Sequence, residues 1–232
     1  MRLWVRFSAT ALLALAATVP AHAGPIIDWD PAYFYAAGAT PYNSPFGTQL
    51  YIVGTVSAFG PPLGFLNAND PTKDYTFYLY GLGSLGTSTT PIPTLGNAYL
   101  TTYDSGLIEL YEGTPRDAAF DPNPPNANVP STFTNGTLLL SGTITNFYTQ
   151  TNDFSTYMTG NAEGSITWTG GSLFPIVSPG GHPCPSLFTG GLTWEPSALI
   201  EGYLFRHDGK IDLDCPTPAR TGTWGRIKAI YR

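Results

Sequence analysis

The sequence predicts an all-β protein: an antiparallel β-sandwich of jelly-roll or immunoglobulin-like type with long Pro/Gly-rich loops, with a β-barrel as the alternative. Three observations carry this. No window keeps an apolar period of 3.6, and Pro or Gly interrupts most stretches long enough for a helix. Short runs rich in β-branched and aromatic residues recur between turn signals. In 232 residues, Tyr, Phe and Trp reach 14% and charged residues only 11%, against roughly 25% in ordinary soluble proteins.

The chain opens with the pattern of a secretion signal, residues 1–23. Arg2 and Arg6 precede an apolar stretch from Phe7 to Val19, and Ala21-His22-Ala23 reads as a small-x-small cleavage site before Gly24. The apolar run is too short to span a bilayer, so no transmembrane helix is expected in the mature chain. The expected destination is secreted or extracellular, or the periplasm. Residues 24–232 form one expected domain of about 209 residues, a size at which β-sandwiches and barrels stay undivided.

The expected strands run over residues 49–59, 74–82, 97–103, 107–111, 136–148, 164–169, 187–193, 202–207, 210–215 and 223–231. Pro115, Pro122, Pro124, Pro125 and Pro130 make 114–130 an extended surface loop, and further loops are expected at 83–94 and 175–185. Gly170-Gly171 and Gly190-Gly191 each read as a two-residue hairpin turn. His207-Asp208-Gly209 reads as a three-residue hairpin loop, with His207 at the surface. That register puts Tyr203, Phe205, Ile211, Leu213 and Cys215 on one face and Lys210, Asp212 and Asp214 on the other.

Charge and cysteines narrow the partners. The net charge is −6, and loss of Arg2 and Arg6 with the leader would make it about −8, which repels nucleic acid and anionic lipid. Residues 24–200 hold only two basic residues, Lys73 and Arg116, so the basic C-terminal strands are expected to lie beside acidic neighbours. Cys184 and Cys215 are expected to form a disulfide outside the cytosol, contributing roughly 3–4 kcal/mol in the chain-entropy model. Pro183 and Pro185 flank Cys184, favouring a turn staple over a nucleophile served by His182.

No residue set names a reaction. Gly81-Leu-Gly83-Ser-Leu-Gly86 matches a dinucleotide fingerprint, but Pro91 and Pro93 forbid the helix that motif needs, so these glycines are expected to end a strand. His182 and His207 are the only mature histidines, with no Gly-x-Ser-x-Gly elbow and too few ligands for zinc. Glu109 with Glu112, Glu195 with Glu201, and Asp212 with Asp214 are the carboxylate pairs a glycan hydrolase would need. Asn67, Asn69, Asp70, Asp117, Asp121, Asn123 and Asn126 are oxygen donors suited to Ca²⁺, although turn chemistry explains them equally, and no other cofactor is expected. Trp29, Tyr33, Tyr35 and Tyr42 are aromatic candidates for stacking on sugar rings.

The strings Thr101-Thr-Tyr103, Leu107-Ile-Glu-Leu-Tyr111-Glu, Pro122-Asn-Pro-Pro-Asn126 and Phe133-Thr-Asn-Gly-Thr137 resemble parts of uncharacterised exported bacterial β-proteins of the PEP-CTERM-associated kind. After Trp224 there is no Pro-Glu-Pro box and no apolar helix with a basic end, so the sorting tail is lacking. The resemblance implies a cell-envelope or matrix context and transfers no catalytic residue. The expected function is therefore a non-catalytic binding or structural role toward carbohydrate or cell-surface components. A paired-carboxylate hydrolase and a small outer-membrane barrel are the alternatives.

Overall fold

The structure is a computed structural model that describes residues 25–120, 127–154, 158–182 and 184–214. The expected signal segment with its Ala23–Gly24 cleavage site, Cys215 and the 223–231 strand lie outside these residues. Nine strands appear: β1 Pro25–Ala36, β2 Gln49–Phe59, β3 Asp74–Ile92, β4 Gly96–Tyr103, β5 Gly106–Gly113, β6 Thr137–Phe154, β7 Met158–Gly170, β8 Pro185–Thr193 and β9 Phe205–Leu213. Two short helices, α1 Ser131–Thr134 and α2 Phe174–Val177, and a 3₁₀ turn at Pro179–Gly181 interrupt them.

These strands form one closed antiparallel sheet rather than two layers, so the sandwich expectation is corrected to its barrel alternative. Alternation of apolar and polar residues is the same in both architectures, and the sequence pattern could not separate them. Closure comes from pairs far apart in sequence. The strand β1 joins β9 as well as β2, and β2 joins β3. The long strands β3 and β6 then share two partners placed end to end, β5 along one half and β4 along the other, which gives eight positions around the wall.

Gly81 and Gly86, with φ of +76° and +96°, sit where β3 leaves β5 and takes up β4. They bend the strand without ending it, and the expected 83–94 loop is mostly strand. The first strand escaped the sequence reading because Asp30-Pro31 breaks its alternation. Both ladders of β1 are irregular between Trp29 and Ala32, where the bulge absorbs Pro31 and its missing amide proton.

The barrel interior is filled with side chains. Trp29, Phe34, Ile52, Phe77, Ile144, Phe147, Ile166, Trp168, Phe188 and Phe205 are all at most 2% exposed. Most outward positions of β6 and β7 are instead polar, Ser141, Thr143, Thr145, Gln150 and Asn152 on one and Asn161, Glu163, Ser165 and Thr167 on the other, with Leu138, Tyr148 and Met158 the larger apolar or aromatic side chains among them. On β6 and β7, alternate residues therefore separate a buried inside from a largely polar outside, whereas part of the outer face of β1, β2 and β3 is covered in turn by a second aromatic cluster.

None of the three glycine-based hairpins expected in the C-terminal half forms. Gly190-Gly191 lies inside continuous β8 and Asp208-Gly209 inside continuous β9, paired as Gly190 with Gly209 and Gly191 with Asp208. Gly190 and Gly209 make room for rings, whereas Gly191 borders open space. A Cβ on Gly209 would lie 2.6 Å from His207 Cε1 and 2.9 Å from Trp29 Cζ2. Gly170-Gly171 does end a strand, but the chain continues into α2 rather than a return strand. The expected faces of this region survive the lost turn in part: Phe205 and Ile211 are buried inward and Lys210 is bonded to Asp212 at 2.9 Å outside, but Tyr203 packs beside Tyr33 on the outer side instead of joining Phe205. Arg206 on β9 pairs with Asp30 on β1, as the uneven charge distribution suggested.

Candidate binding face

Outward positions on β1, β2, β3 and β5 carry a row of tyrosines. Tyr35 and Tyr51 are cross-strand partners with ring centroids 6.4 Å apart, Tyr51 and Tyr78 follow at 6.5 Å and 5° between planes, and Tyr78 and Tyr80 stack at 4.8 Å. Their spacing follows from the pleat. Residues two apart on one strand share a face, and neighbouring strands bring such pairs side by side. Each of these rings is half-buried.

Glu109 on β5 organises the end of the row. Tyr80 donates its hydroxyl to Oε1 at 3.2 Å and Tyr111 donates to Oε2 at 2.8 Å. Burial first, and the neighbouring Glu109 carboxylate second, push the Tyr111 and Tyr80 phenols up from their ordinary value. Burial likewise raises Tyr78, with Tyr51, Tyr80 and Glu109 adding to it. All these hydroxyls therefore stay protonated donors at neutral pH. At one edge the row continues into a covered aromatic patch. Phe120 meets Tyr33 edge-on at 4.8 Å and Phe133 at 5.0 Å, and Tyr33 meets Tyr203 at 5.1 Å. Thr76 donates to the Phe133 carbonyl at 2.7 Å, holding α1 on the barrel wall.

The four aromatic candidates divide. Trp29 is fully buried inside the barrel, donating Nε1–H to His207 Nδ1 at 3.0 Å, and is removed from the binding set. Tyr33 is 6% exposed beneath Phe120 and is likewise structural. Tyr35 belongs to the tyrosine row. Tyr42 sits elsewhere, on the 37–48 connection, accepting from Trp194 Nε1 at 3.2 Å and packed 5.0 Å from Tyr99. Sequence reading missed Tyr51, Tyr78, Tyr80, Glu109 and Tyr111 as a unit, although the i, i+2 repeats Tyr78-x-Tyr80 and Glu109-x-Tyr111 inside expected strands were the available signal.

The carboxylate pairs are occupied or apart. Glu112 accepts from Lys73 at 2.7 Å and Tyr75 at 2.8 Å, and those donors, Lys73 first, hold its carboxyl below the usual range. Burial, with the Glu112 contact added, pushes the Tyr75 phenol up to about 12. Glu195 and Glu201 are exposed outside any strand, and Asp212 is engaged by Lys210. The oxygen donors proposed for Ca²⁺ serve turns where described. Asn67 Oδ1 accepts the Asn69 amide at 3.1 Å, Asp70 Oδ1 accepts both donors of Thr72, and Asp117 accepts from Asn135 at 3.0 Å. Among the described residues no three His, Cys, Asp or Glu side chains converge. Asp121, Asn123 and Asn126 lie outside them.

His207 is wholly buried, not at a surface turn, and burial lowers its pKa to about 3. His182 is exposed, and Cys184 is buried at the start of the region leading into β8. No protein-family model, no curated protein sequence and no solved structure matches the chain.

Proposed function

We propose that the protein is an exported, secreted or envelope-associated β-barrel with a non-catalytic binding role, recognising glycan-bearing surfaces through the tyrosine face. The observation that carries this reading is the row Tyr35, Tyr51, Tyr78 and Tyr80, anchored by Glu109 and Tyr111 on a rigid wall. Tyrosine joins an apolar ring to a polar tip at low conformational cost, which suits a ligand presenting both C–H and hydroxyl groups. The net charge of −6 disfavours runs of negative charge in that ligand.

The polar outward residues of β6 and β7 around an apolar interior are the inverse of what a lipid-embedded barrel requires, and so favour work in water. Glycosidic acid catalysis needs a carboxyl whose pKa is raised, whereas Asp70 and Glu112 are both shifted down. The Cys184–Cys215 bond belongs to the same reading, as a staple suited to an oxidising compartment. The test is binding of the purified protein to a glycan array and to whole cells. Tyr51→Ala and Tyr80→Ala are expected to lose what the unaltered protein retains, and unchanged binding by both variants would overturn the proposal.

A further inference from the structure

A second site lies beside the face, in an outward cavity of about 360 Å³ over β1 and β2. Thr55, Ser57, Asn69, Arg116 and Phe120 are among the residues that line it. Two carboxylates line it as well, but both are already committed. Asp30 is paired with Arg206, and Asp74, only 5% exposed, accepts the backbone amides of Asp117 at 2.9 Å and Ala118 at 2.7 Å through Oδ2. Asp74 Oδ1 faces Gly113, where a Cβ would lie 2.2 Å away, and is closed to solvent.

The cations show what is left. The described residues contain Lys73, Arg116, Arg206 and Lys210. Lys73 pairs with Glu112, Arg206 with Asp30 and Lys210 with Asp212, while Arg116 has no ion pair among the described residues. Among the described residues, Arg116 is thus the guanidinium without an ion pair, and it borders the cavity on a segment whose next two backbone amides are held by buried Asp74. Thr55, Ser57 and Asn69 also keep their polar side-chain tips free of hydrogen bonds among the described residues. Arg116 is the charged donor at the cavity with no acceptor among the described residues, and a planar guanidinium can grip a carboxylate with two bonds.

We infer that this cavity takes a single carboxylate-bearing sugar unit of the hexuronate kind. Its carboxylate meets Arg116, its ring lies along Phe120, and its hydroxyls reach Asn69, Thr55 and Ser57. The volume falls within the range of small-molecule sites, and a single acidic unit is compatible with a protein whose net charge resists longer anionic runs. The sugar half of the inference rests on the glycan reading of the tyrosine face, while the acidic half rests on Arg116 alone.

The experiment is a calorimetric titration of the full chain with D-glucuronate, D-glucose and acetate. Glucuronate is expected to bind at least about tenfold more tightly than either control, and Arg116→Gln to lose about tenfold or more of that affinity. Arg116 is exposed, so the variant should melt as the unaltered protein does, and Asn69→Ala gives an independent second lesion. Glucose or acetate binding within tenfold of glucuronate, no glucuronate binding, or no effect of Arg116→Gln would each overturn the inference. Tyr51→Ala distinguishes the two proposals: retention of glucuronate by a variant that no longer binds cells separates the cavity from the face, and loss of glucuronate binding there would refute a separate subsite.

Discussion

The inside of the barrel around Trp29 and the outside around Tyr78 are built from the same kind of residue and differ in what meets the polar tip. Inside, Trp29 packs 4.8 Å from Phe77 and 4.9 Å from Phe188, and its single N–H finds the neutral imidazole of His207. Outside, Tyr80 and Tyr111 direct their hydroxyls to an anionic carboxylate with access to water. An imidazole can be neutral where a carboxylate would be costly to bury, so the partner of each aromatic is set by its solvent. The comparison implies that lesions inside should be read in stability and lesions outside in binding.

The largest expected effect is that of acid on the interior. His207 Nδ1 accepts from Trp29, so the ring's own proton sits on Nε2, which is buried without a well-formed hydrogen bond, and the Gly190 backbone beside it opposes the downward shift only weakly. Protonation would put a second N–H against Trp29 in a site without solvent. A folded pKa near 3, against 6.5 when unfolded, means the unfolded chain takes up the proton first as pH falls. Stability is complete above about pH 6.5 and declines toward pH 3, by at most about 5 kcal/mol. Urea midpoints should fall steadily between pH 7 and pH 4.5, above the window in which Glu112, lowered from 4.5, contributes its own loss. A His207 ring signal that titrates near pH 6.5 in the folded protein would break the comparison.

Next in size is a pair of neighbouring glycines. A Cβ on Gly190 would lie 2.2 Å from the Asp208 carbonyl oxygen and 2.6 Å from His207 Nε2, whereas one on Gly191 would meet nothing within 4 Å. Gly190→Ala should cost about 3 kcal/mol through overpacking against backbone that cannot yield, and Gly191→Ala should stay within about 0.5 kcal/mol. Equal denaturation midpoints for the two variants would show that the interior is not tightly packed at this point. Trp29→Phe follows at about 2 kcal/mol, since it keeps a ring but leaves His207 Nδ1 buried without its donor.

These same glycines show where sequence reasoning stopped. The 49–59 strand was legible to the residue, because Leu50, Ile52 and Val56 alternate with outward residues and no Pro intrudes. The faces of Phe205, Ile211, Lys210 and Asp212 were legible for the same reason. Gly190-Gly191 and Asp208-Gly209 were misread as turns, since a glycine that clears space for a ring on another strand has the same local signature as one that reverses the chain. Gly209 clears Trp29, 180 positions away in sequence, and Gly190 clears His207 on the neighbouring strand, so no local window contains the cause. Closure of the barrel was hidden likewise, because it rests on the pairing of β1 with β9. The tyrosine row was half legible, strand by strand, while its continuity depends on registers that only the fold supplies.

The smallest effect on stability is expected at the outer face, and it sharpens the contrast most. Glu109→Gln preserves shape and keeps an acceptor for Tyr80 or Tyr111 but removes the charge, so unfolding should shift by less than about 1 kcal/mol at neutral pH. The phenols should respond instead. Burial is the larger cause of their raised pKa values and Glu109 the second, so removing the carboxylate should lower the ionisation midpoint of Tyr80 and Tyr111 without returning it to the ordinary phenol value. Ultraviolet difference absorbance across alkaline pH reads this directly. A titration unchanged by Glu109→Gln would mean that the carboxylate does not organise the row, and the face would then be a set of separate surface tyrosines with no common anchor.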